Sequence, residues 1–175
     1  MSAATTIRPA SGEYPPYTIN YISLVPDGDI VATLGKQLDE TLALIRGISE
    51  SRGDFRYEDG KWSIKEVIGH IVDGERIFAY RALRFARGDE TPLSGFEQDD
   101  YVRTGGFDKR TLSDLANEYE HVRRSTIALF SNLDEEAWAR FGTSNDNPAS
   151  VRALAFIIAG HERHHIKILR ERYLD

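Results

Sequence analysis

The chain has no cysteine. Disulfides, thiolate metal ligands and a cysteine nucleophile are therefore excluded, and any thiol chemistry needs a thiol from outside. Nor does any stretch approach the ~18 apolar residues of a membrane span. Residues 1–10 lack the basic-then-apolar pattern of an export signal, so the expectation is a cytoplasmic protein with no membrane partner. There is also no block of Lys and Arg: 28 acidic residues outweigh 22 basic ones, for a formal net charge of −6. Binding a phosphate backbone needs a basic stripe to displace counterions, so nucleic acid is not an expected partner.

What is present suits one domain with one sizeable core, at 175 residues, 41% hydrophobic and 29% charged. Residues 1–27 read as an extended arm, because Tyr14-Pro15-Pro16-Tyr17 argues against a helix start, and residues 28–175 read as a helical bundle. Leu34, Leu38, Leu42 and Ile45 recur at three- and four-residue steps and predict a first helix over 29–48. Ser63 and Glu66 form a capping box that opens a second helix, and Gly88 closes it after residue 87. Residues 89–110, with Pro92, Gly95, Gly105 and Gly106, predict a long crossover loop.

A third helix starts at Thr111, with Asp114 as its cap partner, and carries Leu115, Tyr119, Val122, Ile127 and Phe130. A short turn over 135–138 and a polar linker over 142–148 follow, and a fourth helix spans 150–173. Four amphipathic helices with no convincing strand predict an all-α four-helix bundle, in which the long crossover lets the second and third helices run parallel.

Three of the five histidines fall in Gly160-His161-Glu162-Arg163-His164-His165. Residues four apart on a helix project within ~40° of each other, so His161 and His165 can grip one ion. Leu154, Ile158, His161, His165 and Ile168 form the inward stripe, where an unsatisfied imidazole is costly. His164 lies to the side, a flanking or supporting residue. A third ligand must come from another helix, and His70 qualifies, in the inward seam Val67, His70, Gly74, Ile77. His121, between Glu120 and Val122 in a charged stretch, reads as surface. Three neutral imidazoles suit Zn²⁺, Ni²⁺, Co²⁺ or Fe²⁺, with Zn²⁺ and Ni²⁺ taken first, and leave a coordination position open. The pentapeptide HERHH also satisfies the HExxH spacing of zinc proteases, but nothing in the chain predicts a strand for a peptide substrate to pair with.

Trp62-Ser63 through Glu66-Val67-Ile68-Gly69-His70, the loop Phe96-Glu97-Gln98-Asp99-Asp100-Tyr101-Val102, and Gly160 to His165 together resemble the DinB-like superfamily, over about residues 28–174. The resemblance implies an up-down-down-up bundle with one divalent ion on His70, His161 and His165. It also implies thiol-dependent S-transfer to a small electrophile, with a low-molecular-weight thiol as cosubstrate, or hydrolysis of a small amide or ester with Glu162 or Asp73 moving protons. Gln98 and Asp99 match the loop motif and are candidates to line a pocket, and Arg123 is a candidate for an anionic substrate group, though a surface arginine is the plainer expectation. A homodimer acting on a small molecule is the expected assembly. A non-catalytic metal-binding bundle with a stress-response role is the remaining class.

Overall fold

The structure is a computed structural model, which describes residues 7–174. Four long helices build it: α2 (Ile30–Gly47), α3 (Ile64–Ala86), α5 (Leu112–Ser131) and α7 (Val151–Ile168), with the short helix α1 (Ile19–Ile22) ahead of them and α4 (Gln98–Thr104) and α6 (Glu135–Ala139) between them. Each long helix begins on a side chain able to accept from its unpaired N–H groups: Asp29, Ser63, Thr111 and Ser150. At Ser63 the capping box is complete, the Glu66 carboxylate accepting from the Ser63 N–H at 2.6 Å.

Contacts between the helices fix their directions. Gln37 donates to the Ala159 carbonyl and Thr41 to Glu162, so α2 and α7 run in step. On α3, Gly74 lies against His161 and His70 against His165, so those two helices run opposite ways. Gly69, near the start of α3, abuts Phe107, just before α5, and further along Glu75 meets Arg123, so α3 and α5 are parallel. The path is up-down-down-up, with α2 and α3 each packed between α5 and α7.

Apolar residues fill the two ends of the bundle separately. One cluster gathers Ile30, Leu34, Phe85, Phe130 and Phe156; the other gathers Leu42, Ile64, Ile68, Leu115 and Leu169. Between them lies a layer of buried polar side chains, His70, Glu75, Arg123, His161 and Glu162 among them.

Three expectations need correction. The crossover is not all loop: it contains α4 and a 3-10 turn at Phe107–Lys109. Helix α4 buries only Val102, so it leaves no apolar stripe to read, while Asp99 and Asp100 favour its first turn electrostatically. The linker over 142–148 is part of a β-hairpin, β1 (Phe141–Ser144) against β2 (Asn147–Ser150). Asn145 and Asp146 turn it at φ 51° and 59°, left-handed conformations that these side chains tolerate and that a two-residue hairpin demands. The hairpin holds the crossover, since the Leu93 N–H donates to the Thr143 carbonyl. Finally, Pro16 does open a short 3-10 turn, Pro16–Thr18, because its missing N–H costs nothing in a first turn.

Residues 7–28 run along α7. Glu13 accepts from Ser150 Oγ at 2.8 Å and pairs with Arg152, while Arg8 donates to the Ile22 carbonyl at 2.9 Å. Gly160 permits the closest approach: a Cβ there would stand 2.1 Å from the Tyr21 carbonyl oxygen. Gly160→Ala should therefore push α1 off α7 and lower stability by about 1–3 kcal/mol in urea unfolding. Unchanged stability and unchanged protease resistance of residues 7–28 would contradict this docking.

Candidate metal centre

His70 comes from the second turn of α3, and His161 and His165 from successive turns of α7. One ligand nitrogen from each lies within 4.8 Å of the others. The rings sit 4.6 to 4.8 Å apart, centre to centre. His70 Nε2 and His161 Nε2 are 2.9 Å apart, within hydrogen-bond distance, with the donor set by the tautomers of the two rings. Gly74 makes this possible, since its absent side chain leaves the room that His161 Cε1 occupies, 3.0 Å from where a Cβ would be.

Burial sets the charge state. It holds the His70 imidazole down to about 4 and His165 to about 3, and pushes His161 well below its ordinary value, with neighbouring histidines adding to each effect. All three are neutral at pH 7, the form that offers a lone pair to an ion. The donor set therefore fits a borderline divalent ion: three neutral nitrogens from two helices, aimed at one point.

Aromatic rings wall the cluster. Trp62 lies 4.7 Å from His70 and stacks on His165 at 6.4 Å, Phe78 lies 5.7 Å from His161, and Tyr21 meets His161 and His164 edge-on at 5.4 and 5.5 Å. These rings were not singled out as site residues from the sequence. The signals available were the position of Trp62 just ahead of the cap of the His70 helix and that of Phe78 one turn beyond Gly74.

The other candidate residues fall elsewhere. Glu162, expected as a proton carrier, is buried in a network facing α2 and α5: Thr41 and Tyr119 donate to its Oε1, the latter at 2.8 Å. It also borders a groove of about 460 Å³ between α2 and α7, shared with Gln37, Thr41 and Arg163, on the side of α7 away from His161 and His165. Arg123 is wholly buried rather than at the surface. It donates to both oxygens of Glu75, at 2.8 and 2.7 Å, and to the Leu34 carbonyl at 3.3 Å. Its Nη2 also lies 2.6 Å from Glu162 Oε2 in an ionic contact. At 0% exposure and paired with two carboxylates, this guanidinium is not presented to a substrate. The helix period placed it inward, but its charged neighbours Glu120 and Arg124 concealed that.

Asp73 pairs with Arg76 at 3.7 Å and has its pKa raised by burial, and it is not among the groups converging on the imidazoles. Gln98 and Asp99 are exposed at the start of α4. His121 is exposed, as expected, and His164 flanks His165 at 5.0 Å.

Bundle and site together define a class: four helices in up-down-down-up order around three converging histidines, one from the second long helix and two from the last. The chain belongs to the DinB superfamily, whose sequence profile matches residues 33–169. It is 26% identical over 153 residues, 81% of this chain and 83% of the relative, to a candidate metal-dependent hydrolase of Geobacillus thermodenitrificans. Among solved structures, YfiT of Bacillus subtilis, described as a candidate metal-dependent hydrolase with an unusual four-helix bundle topology, superposes with a TM-score of 0.69 at 16% identity, over 94% of this chain and 90% of that one. The mycothiol-dependent maleylpyruvate isomerase superposes with a TM-score of 0.65 at 12% identity, over 83% of this chain and 61% of that one. At these identities the structural likeness establishes the fold.

The Arg123 network gives a prediction about stability. Arg123→Met leaves the Glu75 and Glu162 carboxylates buried without their cation and should cost about 3–5 kcal/mol. Equilibrium unfolding checks it; a loss below about 1 kcal/mol would show that the ion network does not hold the four helices together.

Proposed function

We propose that this chain is a metal-dependent enzyme that joins a low-molecular-weight thiol to a small electrophile, with one divalent ion on His70, His161 and His165. The observation that carries the proposal is the make-up of the site. Three neutral imidazoles converge inside an aromatic wall, and the two carboxylates expected to serve as bases, Glu162 and Asp73, are engaged elsewhere.

A divalent ion at this position supplies Lewis acidity, lowering the pKa of a thiol or water brought to its open side. A thiol activated in this way needs no carboxylate to take its proton, whereas positioned water attacking an amide or ester ordinarily does. In the transfer, sulfur forms a bond to the electrophilic carbon, the leaving group departs with its electron pair, and the thiol proton passes to solvent. The chain's own residues hold the geometry. Gly74 lets His161 approach α3, Trp62 fixes the planes of His70 and His165, and Tyr21 and Phe78 keep water from the flank of His161. The absence of cysteine agrees with a thiol brought from outside.

Hydrolysis is the second reading, favoured by the descriptions of the Geobacillus relative and of YfiT. The two readings separate by experiment. The purified protein should bind one Zn²⁺ or Ni²⁺ per chain, and His161→Ala should abolish binding; full metal content in that variant removes the proposed ligand set. The metal-loaded protein should turn over chlorodinitrobenzene with a cellular thiol and leave simple esters and amides untouched. Metal-dependent ester or amide hydrolysis with no thiol-dependent rate would establish the second reading instead.

A further inference from the structure

Arg81 and Arg123 are the two buried arginines among the described residues. Arg81 is 7% exposed, yet among the described residues no carboxylate faces it. Arg123 has two carboxylate partners, and Arg8, Arg84, Arg110 and Arg152 each have at least one. Arg81 instead donates from Nη2 to the Ser94 carbonyl at 2.8 Å and lies over the rings of Phe78 and Phe96, at 5.9 and 5.8 Å. Burial lowers its pKa, and the groups that oppose this are the hydroxyls of Tyr17 and Tyr101. A desolvated cation without a counter-ion is costly, and two ring faces and one carbonyl offset only part of that cost.

Its position gives the imbalance a meaning. His70, Gly74, Phe78 and Arg81 follow one another along α3 at steps of four, four and three, so they share one face of the helix. Phe78 touches both ends, packing on His161 and on the Arg81 guanidinium. From Gly74, beside His161, to Arg81 is seven residues, about 10 Å of helix, which is the length of a small organic molecule. Tyr17 and Tyr101, both substantially exposed, mark where this end meets solvent, and Tyr101 lies on α4 with Gln98 and Asp99. Of the acids there, Asp100 is bonded to Arg103 at 2.6 Å, while Glu97 and Asp99 are exposed to solvent, where their charge is screened.

We propose that Arg81 is the anion-binding end of a substrate pocket whose reacting end is the tri-histidine centre, and that the substrate carries a carboxylate on an apolar body. This deepens the proposed function and rests on it for the reacting end. A carboxylate suits the site because its single negative charge balances the one guanidinium, whose planar fork also matches its two oxygens. The aromatic walls select the apolar body.

Benzoate and its neutral counterpart benzamide are the probes, titrated calorimetrically into metal-free and Zn²⁺-loaded protein. Wild type should prefer benzoate at least tenfold in both forms. In the metal-free protein Arg81→Met should erase the preference while Zn²⁺ affinity stays unchanged, and Arg81→Lys should restore part of it. Equal binding of the two probes by wild type, or a preference that survives in metal-free Arg81→Met, overturns the proposal. Should Arg81→Met fail to fold, the wild-type comparison and Arg81→Lys decide, an undiminished preference in the lysine variant counting against bidentate recognition by Arg81. Failure of wild type to bind Zn²⁺ would strike the tri-histidine reading alone, because the metal-free titration still tests Arg81.

Discussion

A bundle that buries imidazoles, carboxylates and a guanidinium in one layer must satisfy all of them at once, and the remainder of the fold is arranged around that requirement. Arg123 reaches the Leu34 carbonyl on α2, Glu75 on α3 and Glu162 on α7 from its own position on α5. One side chain thus ties all four helices at the level where the histidines meet. Glu162 adjoins His161 in sequence and Glu75 adjoins Gly74, so the same ion network that closes the bundle also sets how α3 and α7 face each other at the site. Replacing one partner of such a network leaves the others charged and dry, which is why the cost is large.

The layer also divides labour between opposite faces of α7. His161 and His165 look toward α3, while Glu162 looks toward α2 and α5, since successive helix residues are turned by about 100°. The carboxylate next to the first histidine thus faces Thr41, Tyr119 and Arg123 rather than the imidazoles. Around the imidazoles stand the rings of Trp62, Phe78 and Tyr21, with His164 at the flank.

Much of this was legible beforehand. The Ser63–Glu66 capping box, the stripe from Leu34 to Ile45 and the inward positions of His70, His161 and His165 are local patterns, decided by helix period and end chemistry. The hairpin escaped because Asn145 and Asp146 look like loop residues until both adopt positive φ. Helix α4 escaped because a single buried Val102 makes no period. Arg123 reads as a surface residue because a charged residue among charges looks exposed, and only the meeting of four helices shows that it faces inward. Arg81 gives no sequence signal of its own, since the missing partner is a fact of three dimensions.

The family resemblance and the geometry agree on the same three histidines, and the account rests on an ion being shared by them. X-ray absorption at the metal edge of the Zn²⁺- or Co²⁺-loaded protein tests this most directly. Three imidazole nitrogens at about 2.0–2.1 Å, with their multiple-scattering signature, are the predicted result. A shell of oxygen ligands without imidazole scattering would place the ion elsewhere and contradict the account.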